Sequence, residues 1–301
     1  MDDRSMERID WNMLWKEVNN SSRNSRNTTS QFWDSFADTY WKKPKEGEAD
    51  EYTEQFYDYM GIEQGETIFD MGCASGVLAI PYAQRGHEVF AADYSPRMLQ
   101  VLMENAEEEG VADMIHPILL DWNEDWDARE LPVCDFAIAS RSLIFDDLTS
   151  SLKKLESVAS RRICLGAWDL PSQGFDRYVA KAIGYERPGL ATHSIIMGEL
   201  LSRDVCPEMF TIKSPFRLAR YESFEAGLES LKDSFTFGLT ERQEELLKEY
   251  CAEHLVFKHG EGFISSHRDG QELKDYWQLD HSNMSTIAFI RWDKAFVPRT
   301  V

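Results

Sequence analysis

The sequence predicts an α/β fold, a mostly parallel sheet with helices on both faces. Three observations point there. Apolar, strand-like runs at 67–69, 88–92, 115–120, 133–139 and 162–168 alternate with helix-periodic stretches, the order that builds parallel sheets covered on both sides. The run Thr67-Ile68-Phe69-Asp70-Met71-Gly72-Cys73-Ala74-Ser75-Gly76 passes from a strand through an acid into a tight glycine turn. Asp93 ends the next strand 23 residues after Asp70, the spacing of one βαβ half-unit.

Taken in order, Trp11, Leu14, Trp15 and Val18 fall at i, i+3, i+4 and i+7 and form one apolar helical face. The polar run 19–27 reads as a hinge or loop. A second helix carries Phe32, Trp33, Phe36, Ala37 and Tyr40, with Ser30 as its candidate cap. A third, over 50–60, puts Tyr52, Phe56, Tyr59 and Met60 on one face and stops at Gly61. The helix after the glycine turn is expected over about 75–85, with Pro81 near the end of its first turn, where a missing N–H is best tolerated.

Asp93-Tyr94 ends the second strand, and Ser95-Pro96 reads as an N-cap followed by proline at the first helical position. Met98, Leu99, Leu102 and Met103 form the buried face of that helix. The third strand delivers Asp121-Trp122 and the fourth Ser140-Arg141-Ser142-Leu143. Leu148, Leu152, Leu155 and Val158 mark the helix before strand five. Beyond it, 175–205 reads as two helices around Pro188-Gly189, 209–213 as a sixth strand, and 285–292 as a seventh. The stretch 222–258 reads as mostly helical, with Leu246, Leu247, Tyr250 and Leu255 in its core. The expected organisation is a helical cap or lid over 1–60, a core over 61–213, a mainly helical substrate-side insertion over 214–284, and a last strand and tail over 285–301.

The glycine turn carries the chemistry. Gly72 and Gly76 permit backbone angles and close approaches that a β-carbon forbids. A dinucleotide-binding turn reads G-x-G-x-x-G, whereas this one reads Asp70-x-Gly72-x-Ala74-x-Gly76. A carboxylate is a poor neighbour for a pyrophosphate and a good one for an ammonium or sulfonium. Asp93 stands where an acid accepts two hydrogen bonds from a ribose diol, and Tyr94 offers a flat face to adenine.

This stretch resembles the first motif, D-x-G-x-G-x-G, of the class I S-adenosylmethionine (SAM) dependent methyltransferases, with Ala74 at the middle glycine. Residues 32–40 resemble the W-D-x-x-A-x-x-Y segment that precedes the core in many small-molecule members. The resemblance runs from about 32 to 168 and more loosely to the last strand. It implies a Rossmann-like methyltransferase fold with seven strands, the last inserted antiparallel, and SAM as cofactor, leaving as S-adenosylhomocysteine. It further implies that the turn Gly72, Cys73, Ala74 and Gly76 holds the methionine part, and that Asp70 orders this turn or faces the ammonium through water. Asp93 would hold ribose, Asp121 the adenine amino group with Trp122 flanking the ring, Ser140 would lie beside the reacting centre, and Tyr40 would fold over the cofactor. Plain alternatives stand beside these roles: the lead aromatics as core anchors, and Asp121 as the cap of its own turn.

The activity implied is methyl transfer to a small molecule by in-line displacement. The alternatives are a non-catalytic SAM-binding regulator and an aminopropyl-type transferase on the same fold. Composition narrows the acceptor. The formal charge, 32 − 53 = −21, argues against nucleic acid, whose binders need a basic footprint, and against anionic membranes. Five scattered cysteines (Cys73, Cys134, Cys164, Cys206, Cys251), with no C-x-x-C pair, predict a reduced, cytoplasmic protein without structural zinc. The N-terminus has no apolar signal core, and no apolar run reaches the ~20 residues of a bilayer span. His193, His254, His259, His267 and His281 lie in the carboxyl half, but no general base is assigned, and His259 with His267 lacks the spacing of a metal site. Oligomeric state is not legible.

Overall fold

A computed structural model describes residues 9–22, 29–40, 51–168, 176–186, 190–215, 219–235, 238–264, 272–282 and 284–294. The expected features at Pro188-Gly189 and His267 lie outside the described residues.

In chain order the elements are α1 (Trp11–Ser22), α2 (Ser30–Tyr40), α3 (Glu51–Met60), β1 (Ile68–Met71), α4 (Ala79–Gln84), β2 (Val89–Asp93), α5 (Pro96–Glu108), β3 (Ile115–Leu119), β4 (Cys134–Ser140), α6 (Leu148–Ser157) and β5 (Ala159–Trp168). There follow α7 (Arg177–Ala182), α8 (Thr192–Ser202), β6 (Glu208–Pro215), α9 (Phe224–Asp233), α10 (Glu241–His254), β7 (Leu255–Ile264), β8 (Glu272–Leu279) and β9 (Met284–Asp293). Two compact units result, Met1–Ala167 with Leu190–Phe210 and Ala288–Val301, and Trp168–Gly189 with Thr211–Ile287.

The seven-stranded sheet is ordered β3-β2-β1-β4-β5-β9-β6, with β1 to β4 wholly in the first unit. β1 pairs in parallel with β2 and β4, β2 with β3, and β4 with β5. Every residue of β1 is buried, as expected of a strand covered on both faces. The strand order reverses beside β1, between β2 and β4, which places a ligand crevice beyond their carboxyl ends. The α/β architecture read from the sequence is thus the one observed.

Helix α4 begins at Ala79, four residues later than expected. Pro81 has no N–H to donate and is tolerated only in a first turn, so a start at Ser75 would have put it in the interior. Residues 74–78 form turns instead. The stretch 222–258 in the second unit is mostly helical, as read, through α9 and α10. It is helical only to His254, after which β7 and β8 form an antiparallel two-stranded sheet. The core of the second unit joins Val179 of α7 and Ile183 at its C-cap, Leu231 of α9, Leu247 and Cys251 of α10, Leu255 of β7 and Leu279 of β8. Thr240 and Gln243 close a capping box at the start of α10. Among the described residues no helix is long and apolar enough to cross a membrane.

Candidate active site

The crevice in the first unit is lined by Asp70, Gly72, Cys73, Ala74, Val77, Leu78, Ser140 and Arg141. Five of the sequence-predicted site residues, with Asp70 at the end of β1 and Ser140 at the end of β4, meet on this one cleft. Its floor is built by hydrogen bonds from the turn to β2. The N–H groups of Gly72 and Cys73 both donate to the Ala92 carbonyl, at 2.7 and 3.0 Å. Gly72 has φ +79°, and a Cβ there would lie 2.3 Å from the Ser142 Cβ, so only glycine lets this backbone pass. Ala74 stands at φ +49° and Arg141 at φ +58°, two non-glycine residues in the left-handed region on one cleft, where such strain marks functional sites.

Asp70 is buried, and its Oδ2 has no hydrogen-bond partner. Burial, reinforced by the charge of Asp93, pushes its carboxyl up to about 7. Asp93 is also buried, and its two oxygens accept from the N–H groups of Ala74 and Ser95, each at 2.9 Å. Desolvation raises its pKa, opposed by these backbone donors. Asp93, which also takes the Tyr94 N–H, therefore ties the end of β2 to the glycine turn, and with three backbone donors on its two oxygens it keeps about one acceptor position for a further donor.

A raised carboxyl has a consequence for stability. The folded state holds the Asp70 proton that the unfolded chain releases near 3.8, so the contribution is fully present below that pH and lost as pH rises through about 7. Asp70→Asn is expected to flatten the fall in melting temperature across this window, measured as the wild-type minus variant difference against pH. A pH-independent difference would place Asp70 in a solvated setting.

Asp121 accepts from the Asn123 N–H at 2.7 Å, an Asx turn that occupies one carboxylate oxygen. Trp122 is buried, stacks on Trp126 and meets Phe145 edge-on, with Nε1–H donating to the Ser142 carbonyl at 2.9 Å. Its ring is packing beneath the site. Tyr94 is half-buried after Asp93. Tyr40 closes α2, but its side chain lies outside the described part of the structure.

Three more residues complete the site. Tyr52 of α3 shares a 2.5 Å hydrogen bond with Ser140 Oγ, and its ring lies under the Arg141 guanidinium at 4.3 Å. Ser142 donates through Oγ to the Met71 carbonyl at 2.7 Å and backs the glycine turn. Asp34 of α2 accepts from Ser95 Oγ at 2.5 Å and from the Arg97 N–H at 3.2 Å, which fastens α2 to the start of α5. There Trp33 and Phe36 pack with Ala74 against Ala37, Met98 and Val101. A signal existed for Asp34, in the Trp33-Asp34 pair, for Tyr52, a hydroxyl on an apolar face, and for Ser142, in the Ser140-Arg141-Ser142-Leu143 run that ends the fourth strand.

Residues 68–160 match the family model described as a methyltransferase domain. An uncharacterized protein of Haemophilus influenzae is 30% identical over 206 residues, covering 68% of this chain and 74% of that one. The chain belongs to the class I SAM-dependent methyltransferases. The ribosomal protein L11 methyltransferase of Vibrio campbellii is 43% identical to this methyltransferase over 56 residues, which span 18% of this chain and 19% of that enzyme. Among solved structures, the geranyl diphosphate C-methyltransferase of Streptomyces coelicolor is 12% identical with a TM-score of 0.44, covering 81% of this methyltransferase and 75% of that chain. The YcgJ protein of Bacillus subtilis is 10% identical with a TM-score of 0.47, covering 81% and 98%.

Proposed function

We propose that this methyltransferase moves a methyl group from SAM to a small-molecule acceptor, and that the cleft under the glycine turn takes the amino-acid end of the cofactor. One observation carries the reading: a single cleft presents the buried Asp70 carboxylate, with its unpartnered oxygen, and the Arg141 guanidinium. An acid and a base on one cleft complement the ammonium and carboxylate of a methionine-type zwitterion.

When bound, the cofactor supplies an electrophilic methyl on a sulfonium whose leaving group is a neutral thioether. The chain's own work is then to orient and to exclude water. Asp70 faces the ammonium and Arg141 the carboxylate, with Tyr52 holding Arg141 and Ser140 in place. Asp93 accepts from the ribose at the position that its three backbone donors leave, Tyr94 lies beside the adenine, and Asp121 accepts from its amino group with the oxygen its turn leaves spare. The formal charge of −21 favours a neutral or cationic acceptor over a polyanion. That charge, together with the local match to an L11 methyltransferase, supports a second reading in which the acceptor is a basic protein.

Calorimetric titration with SAM, S-adenosylhomocysteine and NAD tests the cofactor. The first two are expected to bind and NAD not to; binding of NAD alone overturns the reading. Asp93→Ala is expected to weaken SAM binding by about 1–3 kcal/mol, the cost of polar groups left unmet. Unchanged affinity removes Asp93 from the ribose role. Turnover with small acceptors against a basic ribosomal protein separates the two acceptor classes.

A further inference from the structure

The second unit gathers a different set of donors. His254 closes α10, Asp280 and His281 follow β8, and the Asp280 N–H donates to the His254 carbonyl at 2.9 Å, pinning the two segments together. The Asp280 carboxylate lies 3.2 Å from His254 Nδ1 and 2.9 Å from His281 Nδ1. One donor atom from each of the three residues falls within 4.8 Å of the others. We propose that His254, Asp280 and His281 form a binding site for one divalent transition-metal ion of the zinc type.

Imidazole and carboxylate suit such an ion. Ligands about 2.0–2.2 Å from tetrahedral zinc stand roughly 3.3 Å from one another, so the two carboxylate–imidazole separations need little adjustment and the two rings need only swing together. The far side of His281 is prepared for this. Its Nε2 faces Asp176 Oδ1 at 3.4 Å and the Tyr250 hydroxyl at 3.3 Å. Asp176 is buried and held by the N–H groups of Tyr178 and Val179, at 2.8 and 3.1 Å. A fixed carboxylate there keeps the proton on Nε2 and leaves the Nδ1 lone pair for a metal, the arrangement that orients histidine ligands. A divalent ion bound there is faced by the Asp280 carboxylate directly and by Asp176 through His281. The ligand side chains are 24–42% exposed, which leaves the remaining coordination position to water, as in three-ligand zinc sites. No local spacing announces this grouping, because His254 stands 26 residues from Asp280.

The test titrates zinc chloride into the chelator-stripped full chain and repeats the titration with cobalt(II) read by absorbance. One equivalent is expected to bind, with uptake lost in His254→Gln and in His281→Gln and retained in His259→Gln, a control at the exposed His259–Asp275 pair. Asp176→Asn preserves a capping side chain on α7 and is expected to weaken zinc about 10–100-fold with the melting temperature of the metal-free chain unchanged. Unaltered uptake in a combined His254→Gln/His281→Gln variant overturns the site. So does a sulfur-to-cobalt charge-transfer band, which would place the metal on a cysteine such as the exposed Cys206, or the absence of any zinc uptake by the wild-type chain. Metal uptake is read without SAM, so its failure leaves the cofactor reading standing.

Discussion

Trp15→Ala is expected to lower stability by about 3–5 kcal/mol, the cost of deleting a large buried aromatic. That is a large share of the roughly 5–15 kcal/mol that holds an ordinary domain together. Trp15 is fully buried, its ring stacks on Phe145 at 4.8 Å, and its Nε1–H donates to the Phe145 carbonyl at 3.1 Å. The neighbouring contacts keep α1 from following the change. Asn12 donates to Asp147 at 2.6 Å and accepts from the Leu148 N–H at 2.8 Å, so one side chain reads both the cap and the first residue of α6. Gly198 of α8 lets the Trp11 ring approach so closely that a Cβ there would sit 2.5 Å from it. Urea unfolding checks this: the midpoint should fall at constant slope. Trp15→Phe keeps the stacking and loses the hydrogen bond, so a loss of about 1 kcal/mol is expected. A loss below that for Trp15→Ala would mean that α1 rests on the first unit without being part of its core.

These contacts also show where the sequence stopped being informative. The four strand-end features were legible because local rules wrote them: strand alternation delivers Asp70, Asp93, Asp121 and Ser140 to one edge of the sheet. Ser95-Pro96 was legible for the same reason, and the Ser95 hydroxyl does accept from the Met98 N–H at 3.1 Å. The second unit was less so. No glycine or proline separates α10 from β7, and Leu255 is buried whether the chain is helical or extended, so the apolar period ran on past His254. Apolar faces alone cannot say what they pack on. Trp11, Leu14, Trp15 and Val18 announced a buried face, but only the fold supplies Phe145, some 130 residues away. Distance in sequence likewise hid Tyr52, which acts through Ser140, 88 residues away.

Ser142 is what gives the glycine turn its largest expected effect. In Gly72→Ala the new methyl would lie 2.3 Å from the Ser142 Cβ and 2.6 Å from its Oγ, at a φ of +79°. Ser142 cannot step back freely, because its hydroxyl donates to the Met71 carbonyl and its own carbonyl accepts from Trp122. A left-handed alanine costs about 1–2 kcal/mol, and overpacking a fixed neighbour about 1–3 kcal/mol. The expected loss is therefore about 2–5 kcal/mol of stability, with SAM affinity falling further as the cleft floor shifts. Ala74 is the internal control: it already carries a Cβ at φ +49°, so in Ala74→Gly relief of that strain offsets the added freedom of the unfolded chain, about 0.4–1 kcal/mol, and little net change is expected. Gly72→Ala/Ser142→Gly separates the two costs. Removing the Ser142 side chain frees the space while the alanine keeps its unfavourable φ, so the double variant should regain the clash and not the strain. Urea unfolding and SAM titration of the four proteins in that cycle decide it; full additivity of the two single losses would mean that the methyl and Ser142 never meet.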